Sequence, residues 1–391
     1  MNLITDSAAL VAFCDGLAKA DFVTVDTEFM REKTYWPILC LIQIAGPDSA
    51  AVIDPLAPGI DLSPVLELLG NPNVLKVFHA ARQDIEIFFR MMGKVPAPIV
   101  DTQIAAMVCG FGESVSYETL ASKLAGAAID KSSRFTDWAH RPLSERQLQY
   151  ALADVVPLRK AYEKLAARLE KTGRASWVAD EMAQLSDPKI YLTDPREAWR
   201  RLKPRTNNRR MLALVQELAA WRELAAQKRD IPRNRMMRDE AILEIAAHPP
   251  RDIEDLARIR AFGRSMAEGR LGGDILGVVQ RARDLPEAEW PELPEQRNLP
   301  AGIGPLVELL KVLLRLCAEE NDVAPRLIAD NDDLEDIAAS DKAEVRALSG
   351  WRGEIFGRDA LDLKHGRLAL TASGKKIERL RLYTPQATAA Q

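Results

Sequence analysis

Five side chains have the types and spacings from which metal-assisted hydrolysis can be built. In FVTVDTEFMRE, Phe22 to Glu32, Asp26 and Glu28 lie two apart in a strand-like run and so leave one face of its end. Like charges placed this way repel unless a cation sits between them. HAARQD sets Asp84 on the helix that follows the strand VLKVFH, and YALAD puts Tyr150 and Asp154 four apart on one helical face. Four carboxylates and a phenol gathered at one end of a sheet would offer oxygen-only ligation, which suits Mg²⁺ or Mn²⁺ and suits zinc or copper poorly. Two such ions roughly 4 Å apart would activate a water and stabilise the leaving oxygen of a phosphodiester. Each residue also has an ordinary use. D-x-E can be a solvated strand end, Asp84 a first-turn helix carboxylate, and Tyr150 a core aromatic. Asp101, in IVDTQ, reads as the N-cap of the next helix.

The elements that must position these groups are legible in the first 170 residues. FVTVDTEF, ILCLIQIA, AAVID and VLKVFH read as strands. Helices are expected near Ser63–Leu69, Ala81–Met92, Thr102–Cys109 and Tyr117–Leu124, which together make an α/β domain with a helix-covered central sheet. Ser144-Glu145-Arg146-Gln147 matches a capping box opening the helix that carries LQYALADVV. Pro157 falls inside that helix, removes one backbone bond, and is expected to kink it just beyond Asp154. Two helix-rich regions follow, about 207–272 and 302–374, separated by the linker-like DLPEAEWPELPEQRNLPAG. Their similar order of elements reads as a weak internal duplication.

Composition narrows the classes. The chain has 391 residues, 47% hydrophobic and 28% charged, enough for two or three globular domains. No apolar run reaches membrane-span length, and MNLITDSAAL lacks a basic n-region, so neither a span nor a secretory signal is expected. Cys14, Cys40, Cys109 and Cys317 lie far apart, which argues against zinc and disulfides and fits a reducing cytoplasm. Net charge is -4, but its distribution is uneven. Residues 196–240 hold 13 Lys/Arg against 6 Asp/Glu, while 317–346 hold 3 against 10. Phosphates are therefore expected to meet the middle of the chain. On charge alone, the acidic region is expected to be removable near Asn298 without loss of affinity for a phosphate-bearing ligand.

The order D-x-E, helical Asp, Y-x-x-x-D resembles the DEDD exonuclease superfamily in its tyrosine-bearing branch; Gln149 stands where the histidine-bearing branch has its histidine. With DTEFMREKTYWPILCLIQIA, DTQIAA and the two helical regions, nearly the whole chain resembles the bacterial ribonuclease D family. The resemblance implies a ribonuclease H-like exonuclease domain with a mixed central sheet over 1–190, then two all-α, HRDC-like bundles over 205–285 and 300–375. It implies that Asp26 bridges two divalent ions (Mg²⁺ or Mn²⁺), that Glu28 and Asp154 complete the site of the attacking water, and that Asp84 serves the second ion. Tyr150 would orient the water. The activity implied is a 3′–5′ exoribonuclease releasing nucleoside 5′-monophosphates from structured RNA with a single-stranded 3′ tail, precursor tRNA above all. No membrane or obligate protein partner is implied. A DNA exonuclease and a non-catalytic RNA-binding scaffold are the rival classes.

Further substrate contacts are open to two readings. Phe29 and Met30 could stack terminal bases or pack in the core, and His79 could touch the site or be structural. Arg200, Arg201, Lys203 and Arg205 surround Trp199 in REAWRRLKPRTNNRR, as on an RNA-binding surface or in a solvated linker.

Overall fold

The computed structural model describes residues 3–292 and 299–382. The middle of the proline-rich linker lies outside those residues. Strands β1 (Leu3–Ile4), β2 (Phe22–Met30), β3 (Ile38–Ala45), β4 (Ala50–Ile53), β5 (Leu75–Phe78) and β6 (Ile99–Asp101) form one sheet, in the spatial order β1-β4-β3-β2-β5-β6. It is mixed: β2 runs antiparallel to β3 and parallel to β5.

The alternation in FVTVDTEF decides which layer covers which face. Val23 and Val25 enter an apolar layer with α1 (Ser7–Leu17), α2 (Ser63–Gly70) and α3 (Arg82–Met92). After α4 (Thr102–Val108) and α5 (Tyr117–Leu120), the long α6 (Glu145–Thr172) packs across β2, β3 and β4. Thr24, which points away from Val23 and Val25, donates to the Val155 carbonyl of α6 at 2.8 Å. Pairing with β5 reaches only Phe22–Thr24, so the outer half of β2 overhangs that strand and opens a crevice there.

Helix α6 begins at the expected capping box and runs unbroken past Pro157. Proline has no N–H to give the Ala153 carbonyl four residues earlier. That carbonyl instead accepts the Tyr117 hydroxyl at 2.7 Å. A bond lost inside the helix is thus replaced from the neighbouring α5.

Both helical regions are fastened to the sheet domain. Residues 209–284 pack around α8 (Arg209–Arg229), with Leu212, Val215 and Leu218 meeting Ile242, Ile245 and Ile275. Trp199 is only 1% exposed within this same core, which corrects the expectation that it faces RNA amid its arginines. The loop after β2 hooks onto the bundle. Tyr35 donates to Glu223, Arg233 pairs with that carboxylate at 2.5 Å, and the Trp36 amide donates to Asp230 at 3.0 Å.

The region after Gly304 is joined more deeply. Val307, Leu310, Leu313 and Phe356 share one apolar core with Ala105, Val108, Leu165, and Val178 and Met182 of α7 (Ala175–Leu185). Trp177 and Trp351 stack at 4.1 Å, and the buried Glu181 accepts from both Arg346 and Arg352. The reading of this region as removable counted charge and missed its apolar face; cutting the chain there strips the cover from α4 and α7. The region closes on a hairpin, β7 (Leu368–Ser373) with β8 (Lys376–Arg381), where a helical run to Gly374 was expected. Alternation in LALTAS and a positive φ of 64° at Gly374 make the hairpin.

Two stability outcomes follow from these contacts. Tyr117→Phe leaves the Ala153 carbonyl with neither an amide nor a phenol, and is expected to cost about 1–3 kcal/mol in urea unfolding. A loss under about 0.5 kcal/mol would mean that water replaces the phenol. Glu181→Ala strands the buried Arg352 charge and should cost about 3–5 kcal/mol by the same measurement. Wild-type stability for this variant would show that the ion pair does not hold the two regions together.

Candidate active site

The overhanging end of β2 brings Asp26 and Glu28 under α6, since both share the row of Thr24, which touches that helix. From α6 come Tyr150 and Asp154, one turn apart. One carboxylate oxygen each from Asp26, Glu28 and Asp154 lies within 4.8 Å of the others. Asp84, in the first turn of α3, lines the same cavity of about 520 Å³ and accepts a hydrogen bond from the Thr27 hydroxyl. All five expected catalytic side chains therefore face one space.

The turn that delivers Asp84 is braced from β6. Asp101 caps α4 through the Gln103 amide at 2.8 Å, as its sequence setting suggests. Its two oxygens also accept the Ala80 and Ala81 amides at 2.9 Å each. Ala80 holds a left-handed φ of 58°, costly for a residue with a Cβ, and the two hydrogen bonds offset that cost.

Crowding and burial dominate the electrostatics. Burial raises Asp26 well above the ordinary carboxylate range, and the Asp84, Asp154 and Glu28 charges raise it further. Burial, then Asp154 and Asp84, lifts Glu28 to about 8. Asp84 rises to about 7 by burial against the opposing Thr27 hydrogen bond, and Asp154 to about 7 by burial and the Glu118 charge. Tyr150 is pushed up by burial and by Asp154, so its hydroxyl keeps its proton and can orient a ligand. The donor set is hard oxygen throughout, which fits a divalent ion such as Mg²⁺ or Mn²⁺.

Other expected contacts divide. His79 lines the cavity, its Nδ1 3.0 Å from the Thr102 hydroxyl oxygen, and burial lowers its pKa. Phe29 lines both this cavity and an adjoining one; Met30 lines only the second. Arg200, Arg201, Lys203 and Arg205 are exposed and line neither, and Arg200 is paired with Glu197. The sequence reading missed Thr27, Tyr117, Glu118, Lys131, Arg134 and Phe135, all of which line the cavity. Thr27 stood inside the quoted D-T-E. The others fall where no periodicity marks a shared face.

Residues 1–170 match the family described as 3′-5′ exonuclease, and residues 211–279 match the HRDC domain. A ribonuclease D from Granulibacter bethesdensis is 54% identical, over 96% of each chain. One from Gluconacetobacter diazotrophicus is 50% identical, over 97% of this chain and 96% of that one. The crystal structure of Escherichia coli RNase D, described as an exoribonuclease involved in structured RNA processing, superposes with a TM-score of 0.81 at 30% identity, over 94% of this chain and 99% of that one. The catalytic core of RRP6 from Trypanosoma brucei shares the fold at 21% identity and a TM-score of 0.54, covering 72% of this chain and 79% of that one. With half its residues identical to such relatives over 96–97% of its length, and with an exonuclease segment followed by an HRDC segment, the chain belongs to the ribonuclease D family of 3′–5′ exoribonucleases.

Proposed function

We propose that this exoribonuclease removes nucleoside 5′-monophosphates from single-stranded 3′ tails of structured RNA, precursor tRNA among them, with two divalent ions. The convergence of Asp26, Glu28 and Asp154 within 4.8 Å, in a cavity shared with Asp84 and Tyr150, carries this reading. Asp26 would bridge the ions, Glu28 and Asp154 would complete one site, and Asp84 would serve the other. When bound, the ions supply charge that activates the attacking water and stabilises the leaving oxygen. The protein's own part is orientation. Tyr150, kept protonated by its setting, holds the water in line with the phosphate. The structured-RNA activity described for the Escherichia coli relative supports the substrate class.

The wider organisation is part of the same proposal. Exonuclease residues 1–190 carry the chemistry, and 205–285 and 300–375 are two HRDC-like regions. Exposed Arg200, Arg201, Lys203 and Arg205 are suited to phosphates along the RNA body. Four buried, unpaired cysteines support a reducing compartment, the cytoplasm. Among the described residues, no helix is long and apolar enough to cross a membrane.

Activity on a 3′-extended tRNA, followed with and without Mg²⁺ beside single-stranded DNA of equal length, tests the reading. Asp26→Asn should abolish release of monophosphates with the fold intact by circular dichroism. Tyr150→Phe should lower turnover by roughly 10²–10⁴-fold while RNA affinity holds. Asp26→Asn within about tenfold of wild type, or DNA cut faster than RNA, would overturn the assignment.

A pH experiment probes the carboxylates themselves. Asp84 and Asp154 at about 7 and Glu28 at about 8 bind protons in the folded chain that the unfolded chain has already released. Their contribution to stability is complete below about pH 4 and is lost as pH climbs toward 8. Metal-free protein should therefore lose thermal stability across that window. Added Mn²⁺ should raise Tm more at pH 8 than at pH 5.5, because deprotonated carboxylates bind it. An equal gain at both values would mean that these carboxylates do not hold the ion.

A further inference from the structure

The cavity that holds the carboxylates does not end at Glu28. A second cavity of about 540 Å³ adjoins it, running along the loop after β2. Glu28, Phe29, Arg134 and Phe135 border both. Each space lies within the ~300–1,000 Å³ of small-ligand pockets, enough for a nucleotide apiece.

Two side chains at the boundary make no hydrogen bond or ion pair among the described residues, and Arg134 meets the Glu28 and Asp154 charges only at longer range. Phe135 is 92% exposed, the most exposed large hydrophobic side chain among the described residues. Arg134 is exposed and, among the described residues, makes no ion pair; its guanidinium lies 5.3 Å from the Phe135 ring. Lys131, the other cation lining the first cavity, is engaged by Glu118 at 2.9 Å. The loop itself is firmly held. Trp138 is buried against Tyr150, and Arg141 grips Asp54 with two hydrogen bonds of 2.7 Å. On the near side, the Thr136 hydroxyl donates to the Ser133 carbonyl at 2.9 Å. A fixed loop thus presents an unpaired cation and a bare aromatic ring at the mouth of a strongly acidic cavity. A polyanion must enter there.

Resting on the exoribonuclease reading, we propose that Arg134 and Phe135 form an upstream nucleotide subsite: the 3′-terminal nucleotide occupies the carboxylate cavity, the penultimate one occupies the second, Arg134 binds the phosphate crossing between them, and Phe135 stacks on the penultimate base. The direction follows from what surrounds the spaces. Asp26, Asp84 and Asp154 line the first cavity and not the second, so the nucleotide to be released sits there. The second opens along Arg31–Thr34, next to Tyr35 and Trp36, which dock on the first helical bundle, so the RNA body leaves on that side. Stacking tolerates any base, because every base has a π-face, and Arg134 reads only phosphate. The subsite therefore selects single-stranded ends by shape and charge and leaves sequence unread.

Kinetics and fluorescence on short RNA in Mg²⁺ test the subsite. Phe135→Ala should raise KM by about 5- to 150-fold, with a smaller change in kcat, and Phe135→Trp should recover most of that loss. Arg134→Ala should flatten the dependence of log K on log[salt] by about 0.7. RNA with 2-aminopurine at the penultimate position, bound by the Asp26→Asn protein, should be quenched; adding Phe135→Ala should abolish the quench, while a probe five nucleotides upstream is unaffected. Phe135→Ala with wild-type KM and undiminished quenching overturns the stacking role. An unchanged salt slope overturns the phosphate role and leaves Arg134 as a local counter-charge to Glu28 and Asp154. These outcomes are read against a wild-type protein that degrades RNA; if it does not, the exoribonuclease reading fails and the subsite fails with it.

Discussion

Mutual repulsion among buried carboxylates is the constraint around which this protein is built. Asp26, Glu28, Asp84 and Asp154 face one cavity, where burial and neighbouring charge raise their affinity for protons well above that of ordinary carboxylates. Once ionised, such a cluster works against folding and must be imposed by the surrounding structure. The imposition is visible. Thr24 fixes β2 to α6, Asp101 fastens the turn that leads into α3, and Thr27 offers Asp84 a hydroxyl proton. A cation that bound there would meet carboxylates already in position.

The long helix α6 carries the heaviest share of that task. It supplies Tyr150 and Asp154, and Pro157 sits one turn beyond Asp154. The proline would weaken the helix where precision matters, yet the Tyr117 phenol takes the freed carbonyl of Ala153, next to Asp154 in sequence. A local fault becomes an anchor between α6 and α5. Helix, turn and strand end are then held by bonds that cross between elements, so the geometry of the site belongs to no single element.

Much of this was legible in the sequence because it is periodic. Two-residue spacing put Asp26 and Glu28 on one row, four-residue spacing put Tyr150 and Asp154 on one face, and Ser144 with Gln147 marked where α6 starts. The order of motifs then identified the family. What escaped lacks a period. Arg134 and Phe135 lie on a loop whose path is set by Arg141 and Asp54, 87 residues apart. Trp199 misled, because arginines beside an aromatic look alike whether the ring is outside or in; only the packing of α8 shows it inside. The acidic region misled for a related reason: charge counts describe a surface and say nothing of the apolar face beneath it.

That shared core has a bearing on how the chain is made. Apolar faces of α4 and α7 stay open until Val307, Leu313 and Phe356 arrive to cover them. A ribosome adding about 5–20 residues per second needs on the order of 10–40 s to travel from Met182 to Leu363. Through that interval the catalytic half hangs from the ribosome with its sheet assembled and its flank bare, a nascent nuclease surrounded by RNA. Closing the core with residues 304–368 ties maturation of the exonuclease region to synthesis of the region that follows it.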